Sequence, residues 1–166
     1  MKMTLFPLKF VAALLLSSAS MISLADEPTL DLRLQCTQTK LEDGDGERLI
    51  YADQAHIQLH GETIDEFQWE SSLFRTDHGH ECSIDKDDQL QAQVTDKGWR
   101  ITLKDAVAAR TERGYDFDRG YQCSIRVERE GESVHIRPTC PALCGSRMNF
   151  TELKVDVKSG QCHYEE

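Results

Sequence analysis

From Thr29 to Tyr164, wherever apolar side chains form a pattern, they recur at every second residue. Thr29-Leu-Asp-Leu-Arg-Leu34 puts three leucines on one side of an extended chain, and His56-Ile-Gln-Leu-His60 repeats the alternation. Successive side chains of a strand point to opposite faces, so a period of two marks a strand with one buried face and one wet face. Gly61-Glu62 leads into a longer extended stretch, Thr63 to Phe74, carrying Ile64, Phe67 and Trp69. Glu81 to Asp85 is a short segment around Cys82. Three more pairs of segments flank glycine turns. Leu90 to Val94 and Trp99 to Leu103 flank Asp96-Lys97-Gly98; Tyr121 to Arg129 and Ser133 to Arg137 flank Glu130-Gly131-Glu132; Leu153 to Val157 and Gln161 to Tyr164 flank Lys158-Ser159-Gly160. Each reads as a β-hairpin. Only Asp105 to Arg113 offers room for one or two helical turns. The expected fold class is all-β: a single antiparallel meander of about 8–10 short strands, closed into a barrel or folded as a sandwich.

The N-terminus follows another rule. Lys2 and Lys9 supply positive charge, Phe10 to Leu16 is apolar, and Ser23-Leu24-Ala25 places small residues before Asp26. Residues 1–25 therefore read as a signal peptide, with an apolar run too short to span a bilayer. The expectation is one secreted β-rich domain over residues 26–166, in the periplasm or outside the cell. Cleavage removes two of the 19 basic residues and none of the 29 acidic ones, so the net charge moves from −10 to −12. Such a surface repels nucleic acid and anionic lipid and speeds encounter with cationic proteins.

All six cysteines (Cys36, Cys82, Cys123, Cys140, Cys144, Cys162) follow residue 26. An even count in an exported chain points to three disulfides. Zinc sites show two close Cys or His pairs, whereas only Cys140 and Cys144 are close here. The hairpin turn near Gly131 places Cys123 opposite Thr139 or Cys140, which favours a Cys123–Cys140 bridge. Cys144–Cys162 and Cys36–Cys82 complete that scheme, one of 15 possible connectivities.

Several clusters invite a chemical reading. Asp43-Gly44-Asp45-Gly46-Glu47 gathers oxygens on a turn, in the manner of a calcium loop, but Gln54 stands where a full loop has its distal glutamate. Asp77-His78-Gly79-His80-Glu81 sets two imidazoles on one face of a strand, and His56 and His60 also share a face. His135 and His163 carry no local signal. A Gly-x-Ser-x-Gly elbow is absent, and Cys140-Pro-Ala-Leu-Cys144 lacks the two-residue spacing of redox motifs. The reading is of a protein that is not an enzyme, with no catalytic residue, metal or cofactor assigned.

The segment Cys140-Pro-Ala-Leu-Cys-Gly-Ser-Arg147 stands apart. Cys140 and Cys144 limit its freedom, so it loses little entropy on insertion into a cleft. Its contact residues are Pro141, Ala142, Leu143, Gly145, Ser146 and Arg147, and Arg147 can clamp a carboxylate. Through Cys140, Cys144, Gly145 and Ser146 the chain resembles the periplasmic lysozyme inhibitors of Gram-negative bacteria, small β-rich proteins that place a disulfide-closed loop among the enzyme's catalytic carboxylates. Arg119 to Glu166 also resembles small exported bacterial proteins without an assigned activity. The resemblance implies a non-enzymatic binding protein or inhibitor, with a cationic cell-wall hydrolase or toxin as partner. The alternatives are a small-ligand or metal-binding β-barrel using His56, His60, His78 or His80, and a structural factor of the envelope.

Overall fold

Glycine turns set the strand boundaries. The computed structural model describes residues 27–41, 46–105, 111, 123–139 and 151–165. Among them run ten strands: β1 (Thr29–Leu41), β2 (Arg48–His60), β3 (Thr63–Phe74), β4 (Gly79–Asp85), β5 (Leu90–Thr95), β6 (Gly98–Leu103), β7 (Ser124–Glu130), β8 (Ser133–Pro138), β9 (Leu153–Asp156) and β10 (Cys162–Tyr164). β1 extends beyond the expected Leu34 because Cys36 to Leu41 continue the ladder against Arg48 to Asp53 of β2. The expected segment 1–25, Asp43 to Asp45 of the acidic turn, most of 105–113 and the whole loop from Cys140 to Arg147 lie outside the described residues.

The chain is all-β, as the alternation predicts, and its strands follow one another in order. β1 to β4 form one antiparallel sheet and β5 to β10 a second. The meander changes sheets once, at a 3-10 turn over Lys86–Asp88. Asp85 caps this turn by accepting from the Asp87 amide at 2.9 Å, while the Asp88 carboxylate accepts from the Asp85 amide at 3.0 Å. The two sheets keep separate ladders, so the fold is a sandwich rather than a barrel.

Inward positions of both sheets build one core. Leu32, Ile57, Phe67, Trp69 and Ile84 meet Ile101, Ile125, Val127, Ile136, Leu153 and Val155, each at most 1% exposed. Burial of side chains this size stabilises by about 1.5–3 kcal/mol each. Both tryptophans hide an indole N–H that needs an acceptor. Trp99 of β6 donates to the Gly61 carbonyl at 2.7 Å, which ties the second sheet to the β2–β3 turn of the first. Trp69 donates to Asp53 at 2.8 Å.

The disulfides correct the sequence expectation. Cys36 is bonded to Cys162, with Cα atoms 5.6 Å apart, and not to Cys82. The sheet order explains why. Cys36 and Cys82 sit on β1 and β4, the opposite edges of one sheet, with Asp53 and Ser71 between them in a single cross-strand row. Three strand spacings of roughly 4.8 Å separate them, beyond the reach of about 7 Å for a disulfide. Stacking of the sheets instead brings β10 beside β1. Cys144–Cys162 is excluded with it. Cys82 and Cys123 are disulfide-bonded too, and Cys140 and Cys144 lie outside the described residues.

The hairpins β2–β3, β5–β6 and β7–β8 all turn through two residues, since His60 pairs Thr63, Thr95 pairs Gly98 and Glu130 pairs Ser133. Gly131 takes φ +62 with open space around it, whereas a Cβ on Gly98 (φ +147) would stand 2.1 Å from the Val127 carbonyl oxygen. Gly131→Ala is expected to cost about 1–2 kcal/mol, the strain of an L-residue in left-handed backbone. Gly98→Ala should cost more, because β7 itself must move. Urea denaturation of the two variants checks the order; an equal or smaller loss for Gly98→Ala contradicts this packing.

Candidate functional site

The row Cys36–Asp53–Ser71–Cys82 puts a carboxylate on the apolar face of β2. Asp53 is 3% exposed. An ionised group there survives only if its lone pairs are occupied. Trp69 donates to Oδ1 at 2.8 Å, the Tyr164 hydroxyl to Oδ2 at 2.8 Å, and Ser71 also bonds to the carboxylate. Burial raises the Asp53 pKa above the ordinary carboxylate value, against the lowering effect of these three donors. Burial, and then the Asp53 charge, likewise push the Tyr164 phenol well up. Tyr164 belongs to the second sheet and Asp53 to the first, so the network spans the same seam as the Cys36–Cys162 bridge. With its oxygens taken and its access closed, Asp53 holds structure and is poorly placed for catalysis.

The histidines singled out by sequence separate into pairs. His56 Nε2 lies 3.7 Å from Asp31, and His60 Nε2 lies 3.6 Å from Glu27. His78 and His80 do share a face, as their spacing predicts, with ring centroids 5.6 Å apart. Glu47 of the acidic turn is engaged by Arg75 at 2.8 Å and by the Thr76 amide at 3.2 Å, which fastens the β3–β4 connection.

Among the described residues, one set of three His, Cys, Asp or Glu donors converges within 4.8 Å, and it contains none of those four histidines. It is His135, Glu152 and Glu165. Register explains the meeting. His135 faces outward from β8 because Val134 and Ile136 face the core. Ile136 pairs Leu153, so Glu152 falls one step along from it toward Arg137. The Glu165 amide donates to the Glu152 carbonyl at 3.0 Å, continuing the β9–β10 ladder by one residue. His135 Nδ1 lies 3.3 Å from Glu165 Oε2 and 4.0 Å from Glu152 Oε1. Its Nε2 lies 3.2 Å from Glu130 Oε2 but off the hydrogen-bonding line, which leaves a buried nitrogen without an aligned partner. Arg137 bonds to Glu152 and holds that carboxyl below the usual carboxylate range. Lys154 is the register partner of His135 and of His163.

The sequence reading passed over His135 because its partners come from three separate places. One signal was available: the turn at Lys158 to Gly160, carried outward as a hairpin, brings Glu152 to within one residue of Glu165. Compared with protein-family models, curated proteins and solved structures, the chain matches none.

The Asp53 network generates a pH-dependent expectation. Asp53 has a raised pKa when folded, so its charge costs stability increasingly as pH rises above 3.8. Tyr164→Phe removes a donor to the ionised form and raises that pKa further. The loss should be about 1–3 kcal/mol near neutral pH and should shrink as pH falls toward 3.8, below the raised pKa, and Asp53 takes up its proton. Urea denaturation at the two pH values measures it. A loss of equal size at both would disconnect Tyr164 from the Asp53 charge.

Proposed function

We propose that this protein is a non-enzymatic, exported binding protein that acts through its surface on a cationic protein, a cell-wall hydrolase or a toxin of that kind. The observation that carries this reading is the filled interior. A sandwich packed with Phe67, Trp69, Ile84, Ile101, Ile125 and Ile136, all 0% exposed, leaves the centre of the fold to side chains rather than to a ligand. The hollows near Arg33, His56 and Gln68 and near Glu70, Ser72 and Glu81 open to solvent. A small-ligand barrel, the rival reading, needs an enclosed chamber of about 300–1,000 Å³. The excess of acidic over basic residues supports a cationic partner, since opposite charge accelerates encounter and suppresses like-charged competitors.

Within this reading the 140–147 loop supplies the contact. Pro141, Ala142 and Leu143 enter the partner's cleft, and Gly145, Ser146 and Arg147 reach its carboxylates. Titration of the exported, disulfide-bonded protein against a panel of cationic lysozymes tests this. The expected result is inhibition that weakens with added salt and falls by roughly tenfold, about 1.4 kcal/mol, in Arg147→Ala. If no lysozyme is bound or inhibited and Arg147→Ala changes nothing, this partner class is wrong.

A further inference from the structure

The outer face of β8, β9 and β10 gathers three carboxylates around one imidazole, with Arg137 and Lys154 as the neighbouring cations. Glu152 and Glu165 are direct cross-strand neighbours. Like charges in that position destabilise an antiparallel pair. Arg137 offsets Glu152, while Glu165 and Glu130 both turn toward His135. His135 is mostly buried, with its side chain 15% exposed. A cation lodged between His135 Nδ1 and the two glutamates would draw the carboxylates together.

We propose that His135, Glu152 and Glu165 bind one divalent transition-metal cation of the zinc class. Imidazole nitrogen with carboxylate oxygen is a donor set that such ions accept, whereas magnesium and calcium take oxygen alone. Zinc bonds of about 2.0–2.2 Å set neighbouring ligand atoms roughly 3.3–3.6 Å apart. The separation of 3.3 Å between His135 Nδ1 and Glu165 Oε2 fits that spacing, and the 4.0 Å to Glu152 Oε1 closes by side-chain rotation. Glu152 and Glu165 are partly exposed, and Glu152 would share Oε1 between Arg137 and the metal. The other ring nitrogen supplies a second, independent feature. Nε2 is buried, lacks an aligned partner and lies 3.2 Å from Glu130. A metal-bound histidine donates its remaining N–H to such a carboxylate, and a small turn of the exposed Glu130 side chain would align that bond and fix the ring. Three protein ligands on an outward face leave a fourth position for water or for a donor from another molecule. The inference is independent of the inhibitor reading and uses none of the residues of the 140–147 loop.

The test is zinc titration of the untagged, chelator-stripped, disulfide-bonded protein by calorimetry, with the metal counted by native mass spectrometry. One zinc per chain is expected, bound at least roughly tenfold, about 1.4 kcal/mol, more weakly in His135→Gln and in Glu165→Gln, and unchanged in His78→Ala. Circular dichroism confirms that each variant folds, and Glu165→Gln, at a partly exposed side chain, keeps the test open if His135→Gln does not. Absence of zinc binding overturns the proposal. So does affinity that survives either folded substitution, or loss of the metal in His78→Ala.

Discussion

A buried carboxylate and a disulfide occupy one seam, and the arrangement of the two sheets depends on them. β1 and β10 are the edges of different sheets and share no backbone ladder. What joins them is side-chain chemistry: the Cys36–Cys162 bond and the bonds that Asp53 draws from Trp69 on its own sheet and from Tyr164 on the other. The bridge closes a separation of 126 residues, so it removes much freedom from the unfolded chain, by an amount of about 4–5 kcal/mol in the chain-entropy picture. The carboxylate contributes differently. Polar and buried, it tolerates only the arrangement that brings its donors to it, and so it fixes how one sheet sits on the other. At the far end of the sandwich the Trp99 indole does similar work on the Gly61 carbonyl.

Much of this architecture was legible in the sequence. Strict alternation gave the strands their faces, and β3 begins and ends at Thr63 and Phe74 as the residues alone suggest. Gly98 and Gly131 marked two hairpins, whose turns are each one residue shorter than the residues alone suggest. What the chain did not reveal was adjacency between its ends. Nothing local in Cys36 or Cys162 says that β1 and β10 will lie side by side; that follows only once both sheets bury their apolar faces against each other. Asp53 did leave a trace. It is the one charged residue on the face of β2 that carries Leu49, Ala55, Ile57 and Leu59, and a charge on an apolar face signals a buried network.

The same contrast separates the two surfaces to which roles are proposed. The 140–147 loop was conspicuous because it carries two close cysteines, Cys140 and Cys144. The His135 cluster was inconspicuous because its members come from β8, from the residue before β9 and from the residue after β10. Only the register of the outer strands assembles them. Proximity in sequence favours loops, whereas chemistry on a sheet face is set by register. The two proposed sites lie on different parts of the chain.

The account rests first on the bridge across the seam. Non-reducing peptide mapping of the folded protein by mass spectrometry tests it most directly. The expected result is a linked peptide pair carrying Cys36 and Cys162. A Cys36–Cys82 linkage, joining the two edges of one sheet, would contradict the stacking of the sheets described above.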